Sequence, residues 1–367
     1  MQPGFKPTAN NQRFLSPTDD NIFPPSFLPV ELIVNILLRL LVKYLLQFRC
    51  VCKLWQTLIS ETLIAKKRLA FSDYKNFYSY PLKSIFENPS AAHVIPHDSF
   101  SDLGIDDYYI LGSCNGFFCF HDADQFNIIM YNPSIGLKSK CSPKISSPNW
   151  SMLYNGFGYD QVNDKYKVLA VLEHEDGDSD HEDVSYTKIY TFGEDSWRTI
   201  QDFLGTPIEE IGIYVSGTLN WLHHKWHKQY VIHSFDMEKE TYRELLLPFV
   251  GDDCMCRPSL CVLHDCLCLC FLNKTHLFAW LMKEYGVVES WTKLMTIPRE
   301  KLVCLKSIDR SSTIDLLFIS NGVALLMVFS QLILYNLNSG ELDHPLINID
   351  NVFDPHIYSE NLMSPRW

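Results

Sequence analysis

The sequence has few positive charges and no long uninterrupted apolar run. Its 31 Lys and Arg residues are outnumbered by 43 Asp and Glu residues, which gives a formal net charge of −12. Proteins that bind nucleic acid through phosphate contacts are usually basic, so we expect no nucleic-acid partner. The longest largely apolar stretch, Val323 to Tyr335, is much shorter than the ~20 residues of a membrane helix. The N-terminus lacks the apolar segment of a secretory signal, so we expect no membrane association.

The 12 cysteines do not have the spacing of a disulfide framework. Cys254 and Cys256 are two residues apart, and so are Cys266, Cys268 and Cys270. In a strand, the last three would lie on one face as small buried apolar side chains. The pattern indicates a reducing compartment, the cytoplasm or the nucleus.

Helical periodicity is confined to one short region. Residues 1–26 are polar and linker-like, and residues 27–68 carry an apolar stripe with a 3.6-residue period. Pro29 suits the first position of a helix, and Glu31 suits its positively polarised N-terminus. Two more short helices are predicted near Phe48 and Trp55. Three helices of this length have a thin core, so part of the stripe should be exposed and bind a partner. The stripe comprises Leu32, Ile33, Ile36, Leu37 and Leu40.

Residues 71–360 have the pattern of an all-β domain. Short runs of Tyr, Phe, Ile and Val are separated by turn signals such as Asn132-Pro133-Ser134. A weak repeat of roughly 40–55 residues predicts the blades of a β-propeller. Five units are recognisable, residues 71–108 are a candidate sixth, and a terminal strand from 71–85 or 353–360 could complete a blade. A pair of β-sandwiches or an irregular barrel is the alternative.

The N-terminal residues resemble an F-box, and the order of the later motifs resembles plant F-box/kelch-repeat proteins with an F-box-associated domain. The resemblance covers nearly the whole chain and implies a three-helix F-box followed by a kelch-like propeller. The N-terminal motifs are Leu28-Pro29-Val30-Glu31-Leu32-Ile33, Phe48-Arg49-Cys50-Val51-Cys52-Lys53 and Trp55. The later motifs are Gly112-Ser113-Cys114-Asn115-Gly116, Gly156-Phe157-Gly158-Tyr159-Asp160, Ser196-Trp197-Arg198, Gly217-Thr218-Leu219-Asn220-Trp221 and Glu289-Ser290-Trp291.

The resemblance implies a non-catalytic substrate receptor of a ubiquitin ligase. The F-box would bind an SKP-type adaptor, which connects it to a cullin and a RING subunit, and the β domain would bind the target protein. Leu41 stands where the family commonly has Pro, so a scaffold or decayed receptor that acts without a cullin is the alternative. The apolar residues could also simply form the core of the small bundle. We expect the following residues at the adaptor interface: Leu28, Pro29, Leu32, Ile33, Ile36, Leu37, Leu45, Leu46, Val51 and Trp55.

Three segments resemble chemical sites but favour structural interpretations. Gly112–Gly116 has the form of a nucleophile elbow, yet a strand follows it, which indicates a tight turn. His223, His224 and His227 lack further metal ligands at suitable spacing and indicate an exposed hairpin that could contact a target. The acidic residues 173–183 do not have the spacing of a calcium loop. We therefore expect no catalytic residue, metal or cofactor, and place candidate target contacts in loops 121–127, 173–186, 223–230 and 250–258.

Overall fold

The protein is described by a computed structural model. It describes residues 28–37, 48, 51–65, 67–72, 76–89, 96–99, 108–145, 150–174, 185–203, 205–225, 229–248, 255–302, 313–328, 331–345 and 353–361. From residue 67 onward the described chain consists mainly of β-strands. They form six four-stranded antiparallel sheets, which we number as blades 1 to 6.

Each of the first three blades contains an inner strand, two middle strands and an outer strand. Blade 1 contains β1 (Lys67–Ser72), β2 (Asn76–Pro81), β3 (Pro96–Ser99) and β24 (Phe353–Ser359). Blade 2 contains β4 (Tyr108–Cys114), β5 (Phe117–Asp122), β6 (Asn127–Asn132) and β7 (Leu137–Lys138). Blade 3 contains β8 (Trp150–Asp160), β9 (Lys165–His174), β10 (Ser185–Thr191) and β11 (Arg198–Thr199).

The remaining blades follow the same order. Blade 4 contains β12 (Ile213–Val215), β13 (Thr218–Lys225), β14 (Gln229–Asp236) and β15 (Thr241–Leu246). Blade 5 contains β16 (Ser259–Leu263), β17 (Cys266–Leu272), β18 (His276–Met282) and β19 (Trp291–Pro298). Blade 6 contains β20 (Ile314–Ser320), β21 (Val323–Val328), β22 (Gln331–Asn336) and β23 (Leu342–Asp343).

The inner strands contact one another in sequence around a closed ring, β24, β4, β8, β12, β16 and β20. Blade 1 closes the ring because its inner strand β24 comes from the C-terminal part of the domain and pairs with β1. In this pairing Lys67 lies opposite Ser359. The predicted propeller is confirmed, and its sixth blade uses both regions that the sequence offered as candidates. The alternatives of a sandwich pair and an irregular barrel are wrong.

Tight turns join the inner strand to the next strand in four blades. The two turn residues have positive φ in each case, as in the type I′ turns that match the twist of a β-hairpin. Asn115 and Gly116 have φ values of 51° and 81°. The equivalent residues are Ser216 and Gly217, His264 and Asp265, and Asn321 and Gly322.

The blades pack through apolar faces that the sequence identified in part. Cys268 and Cys270 are fully buried in blade 5, as predicted for small apolar side chains on one face of a strand. Trp221 and Trp291 are buried. Trp197 is half-buried and donates a hydrogen bond from Nε1 to the carbonyl of Pro143 at 2.9 Å.

Helices Val30–Leu37 and Lys53–Ala65 form an N-terminal helical module. The first begins at Pro29, whose carbonyl accepts hydrogen bonds from the amides of Leu32 and Ile33. The second contacts a short helix, Leu82–Glu87, which follows β2 in blade 1. No helix in the described ranges is both long and apolar enough to cross a membrane.

Candidate functional site: an apolar row on the helical module and the distal face of the propeller

An exposed apolar row runs along the first helix of the module. Leu28, Leu32 and Ile36 are four residues apart, and about half of each side chain is exposed (53%, 49% and 48%). This spacing places them on one side of a helix. Pro29 beside the row is also exposed, and so is Val51 near the second helix. Large exposed apolar side chains grouped in this way are typical of a protein-binding surface.

The remaining predicted contact residues divide into two groups. Leu37 is fully buried against Leu58 and Ile59, so it forms the core of the module. Ile33 and Trp55 are partly buried against the same core. Trp55 contacts Phe48 edge to face with ring centroids 5.8 Å apart, which makes it a joint between helical segments. Leu41, Leu45 and Leu46 lie outside the described residues.

Three exposed apolar residues were not among the predicted contacts. Val30, Phe48 and Leu54 are 45%, 37% and 52% exposed. Their type and position were visible in the sequence, but periodicity alone does not show which side of a short helix a small core covers. The buried core of the described module contains only Leu37, Leu58 and Ile59, and so most of its apolar residues remain at the surface.

The propeller presents two opposite faces. Loops in an antiparallel sheet alternate between the two ends of its strands. The start of β1 at Lys67 follows the helical module, so one face, here called the module face, carries that module and the turns such as Asn115-Gly116. The other face, here called the distal face, is marked by the ends of β5, β9 and β13 at Asp122, His174 and Lys225. Adjacent blades share this orientation, because residues just before consecutive inner strands form a parallel bridge, Arg257 with Thr313.

All four loops predicted to contact a target open on the distal face. Loops 121–127, 173–186 and 223–230 connect the second and third strands of blades 2, 3 and 4. Loop 250–258 precedes the inner strand β16, which begins at Ser259 on the same face. Residues 175–184, 226–228 and 249–254 within them lie outside the described residues. The strand ends therefore bring these sequence-distant loops together opposite the module.

The predicted histidine hairpin is held by a hydrogen-bonded network in blade 4. His223 and His233 stack with ring centroids 4.8 Å apart, and His223 Nδ1 lies 2.9 Å from the carbonyl of Thr206. His233 Nε2 lies 3.2 Å from Glu244, which also pairs with Lys225. Burial and the neighbouring His223 lower the pKa of His233, so its neutral form is favoured. His224 is exposed, whereas His227 lies outside the described residues.

Neither suspected chemical motif has the geometry of a catalytic centre. Cys114 ends β4 before the Asn115-Gly116 turn and is buried, and burial raises the pKa of its thiol, opposite to the shift that activates a nucleophile. Among the described residues, no group of three His, Cys, Asp or Glu side chains is arranged to hold a metal ion. The described geometry is therefore that of a binding protein with two separate surfaces.

Comparisons with known proteins identify both parts. Residues 26–66 match the F-box domain, and residues 69–341 match the F-box associated beta propeller domain. F-box/kelch-repeat protein At3g23880 of Arabidopsis thaliana is 34% identical over 95% of this chain and 99% of that protein. F-box protein CPR1 of the same plant is 23% identical over 75% of this chain and 74% of that protein. A chain from the crystal structure of the nidogen/laminin complex has a TM-score of 0.44 at 11% identity, covering 79% of this chain and 98% of that chain.

An F-box joined to a six-bladed propeller defines a class of adaptor-type proteins in which nothing points to an enzymatic activity. The chain belongs to the family of F-box proteins with an F-box associated β-propeller domain.

Proposed function

We propose that this protein is the substrate-recognition subunit of an SKP–cullin–F-box ubiquitin ligase, acting in the cytoplasm or nucleus. The F-box, assigned here to residues 27–68, binds an SKP-type adaptor and through it a cullin and a RING subunit. The β domain, residues 71–360, binds the target protein. The observation that carries the proposal is the exposed row of Leu28, Leu32 and Ile36 on the first F-box helix.

The two faces of the propeller suit this division of roles. The F-box joins the module face, because its second helix ends at Ala65, two residues before β1 begins. A target bound on the distal face would leave the F-box row free for the adaptor. The receptor then accelerates ubiquitin transfer by raising the effective concentration of the target near the charged enzyme, without forming or breaking bonds itself.

The adaptor surface is tested by removing apolar contacts without disturbing the F-box core. Leu32→Ala with Ile36→Ala shortens two exposed side chains, whereas Val162→Ala with Leu246→Ala shortens two exposed side chains of the propeller. A pull-down with a purified SKP-type adaptor should lose binding by at least about tenfold for the first pair, because interface anchors dominate affinity. The second pair should bind like the wild type.

Two outcomes would contradict the proposal. Equal adaptor binding by both double variants would show that the row is not the interface. Absence of binding by a folded wild-type chain would mean that the F-box, with Leu41 in place of the usual Pro, does not engage the adaptor. If the adaptor binds but no cullin is recovered with it, the protein acts instead as an adaptor-bound scaffold.

A further inference from the structure

The seam between blades 3 and 4 has neutralised carboxylates at one end and unpaired carboxylates at the other. At the module face, Lys167 lies 2.8 Å from Asp160 and 3.1 Å from Glu240, and Arg198 lies 2.8 Å from Glu240. At the distal face, neither Glu173 nor Glu210 forms an ion pair within the ranges that the structure describes. The distal end of the seam therefore carries negative charge that the described chain does not compensate.

Backbone contacts hold the two carboxylate-bearing residues beside one another across the seam. Glu173 lies two residues after Val171 in β9, so its side chain is on the strand face that packs in the seam core with Val171. The carbonyl of Glu210 accepts a hydrogen bond from the amide of Asn155 at 2.9 Å, and the amide of Gly212 donates to the carbonyl of Asn155 at 2.7 Å. Glu210 is thereby fixed next to β8 and remains exposed.

An aromatic side chain lies between these carboxylates. Tyr154 is half-buried and stacks on Phe203, with ring centroids 5.8 Å apart and an interplanar angle of 29°. Phe203 in turn packs edge to face on the buried Trp221 at 5.3 Å. Burial and the nearby Glu173 and Glu210 raise the pKa of Tyr154, which places both negative charges close to its hydroxyl. The ring is thus anchored from below and remains neutral.

Blade 4 supplies the other wall. The carbonyl of Thr206 contacts His223 Nδ1, and this contact holds the segment after Phe203 against β13. Gly205 permits the close approach, because its φ is +106° and a Cβ there would lie 2.4 Å from the His223 ring. Leu246 is 52% exposed on the same face of blade 4, since His223 lies opposite Val231 and Val231 opposite Leu246.

We propose that this seam surface, formed by Tyr154, Glu173, Phe203, Glu210, His223 and Leu246, binds a target segment through a Lys or Arg side chain next to an apolar residue. The inference rests on the proposed receptor function and specifies the chemistry of its target. Two unpaired carboxylates attract a cation and can accept its hydrogen bonds, and the adjacent ring offers a cation–π contact. Leu246 provides an apolar contact for a neighbouring residue of the segment.

The test is a selection of displayed random peptides on the full chain. Wild-type protein should enrich peptides that contain Lys or Arg, and the selected peptides should bind more weakly as salt is raised. Glu173→Gln with Glu210→Gln keeps the shape of both side chains and should weaken the selected peptides by at least about tenfold, the loss expected when charge-assisted contacts are removed. Tyr154→Phe should retain binding, whereas Tyr154→Ala should reduce it.

The matched control is Glu284→Gln with Glu289→Gln, which removes two exposed carboxylates from the loop between β18 and β19 on the module face. It should bind the peptides like the wild type. No selection, selection without enrichment of Lys or Arg, or equal loss in both double variants would overturn the proposal. Adaptor pull-down by the same preparations separates this result from the receptor function, because the adaptor row is not part of the seam.

Discussion

Asn361, just after the last strand of blade 1, donates a hydrogen bond from its side-chain amide to the carbonyl of Asn115 in blade 2, at 2.6 Å. Its own carbonyl accepts a hydrogen bond from the side-chain amide of Asn132 at 2.8 Å, and its backbone amide donates to the hydroxyl of Ser134 at 3.2 Å. The ring is therefore closed twice, by the pairing of β24 with β1 within blade 1 and by these contacts to the turns of blade 2.

The second closure makes Gly116 more sensitive to substitution than an equivalent glycine elsewhere. A Cβ at Gly116 would lie 2.5 Å from Cβ of Asn361 and 2.7 Å from the carbonyl oxygen of Ser359, whereas Gly217 occupies the same turn position with nothing within 4 Å. Gly217→Ala should lower the free energy of unfolding by about 1 kcal/mol through its positive φ alone. Gly116→Ala should cost about 1–3 kcal/mol more, because backbone must move.

Urea denaturation of the two glycine variants measures this difference directly. Both substitutions remove the same conformational freedom at φ values of 81° and 78°, so the backbone effect cancels between them. Equal losses would contradict the packing of the C-terminal segment against the Asn115-Gly116 turn.

The sequence predicted the propeller because its turn signals and short apolar runs are local features. It predicted blade 1 poorly because that sheet joins β1 to β24, whose pairing of Lys67 with Ser359 is not a local feature. Individual contact residues were also beyond periodicity. Leu32 and Leu37 both belong to the apolar stripe, but Leu32 is half exposed and Leu37 is buried, because only the second F-box helix determines which side is covered.

The separate roles of Leu37 and Leu32 can be measured by hydrogen exchange. Leu37→Ala removes packing against Leu58 and Ile59 and should destabilise the F-box by about 2–5 kcal/mol, which accelerates amide exchange throughout Lys53–Ala65. Leu32→Ala removes an exposed side chain and should leave that exchange unchanged. Comparable acceleration in both variants would show that Leu32 belongs to the core rather than to a binding surface.

Lys167 should be essential to the packing of blades 3 and 4. Its ammonium group donates to the carbonyl of Met237 at 2.7 Å and pairs with the fully buried carboxylate of Asp160 at 2.8 Å. Lys167→Met leaves that carboxylate buried without its cation and should lower the free energy of unfolding by about 3 kcal/mol at neutral pH. Lys239→Met is the control, because Lys239 is exposed and 3.9 Å from Asp236, and should change stability by less than about 1 kcal/mol.

The cost of Lys167→Met should depend on pH with a defined sign. Burial opposes ionisation of Asp160, but hydrogen bonds from Lys167 and Asn163 outweigh it and hold the pKa below its usual value. The stabilisation is therefore present above the unfolded-state pKa of about 3.9 and is lost as pH falls through the lower folded-state pKa. In the variant, burial raises the pKa of Asp160 instead, so the stability difference from wild type should narrow as the solution is acidified. A constant difference across the titration would contradict this coupling.

Cysteine labelling gives an independent check on the turn at Gly112–Gly116. Cys52 and Cys141 are exposed, whereas Cys114 and Cys119 are buried and burial raises the pKa of both buried thiols. Because the thiolate is the reactive form, iodoacetamide should label the exposed pair in the native protein and reach the buried pair only on unfolding. Mass spectrometry of labelled peptides over time measures the rates. Labelling of Cys114 as fast as Cys52 would contradict the buried-turn structure and indicate an activated nucleophile, whereas protection lost together with tertiary structure in urea would establish that packing alone determines its reactivity.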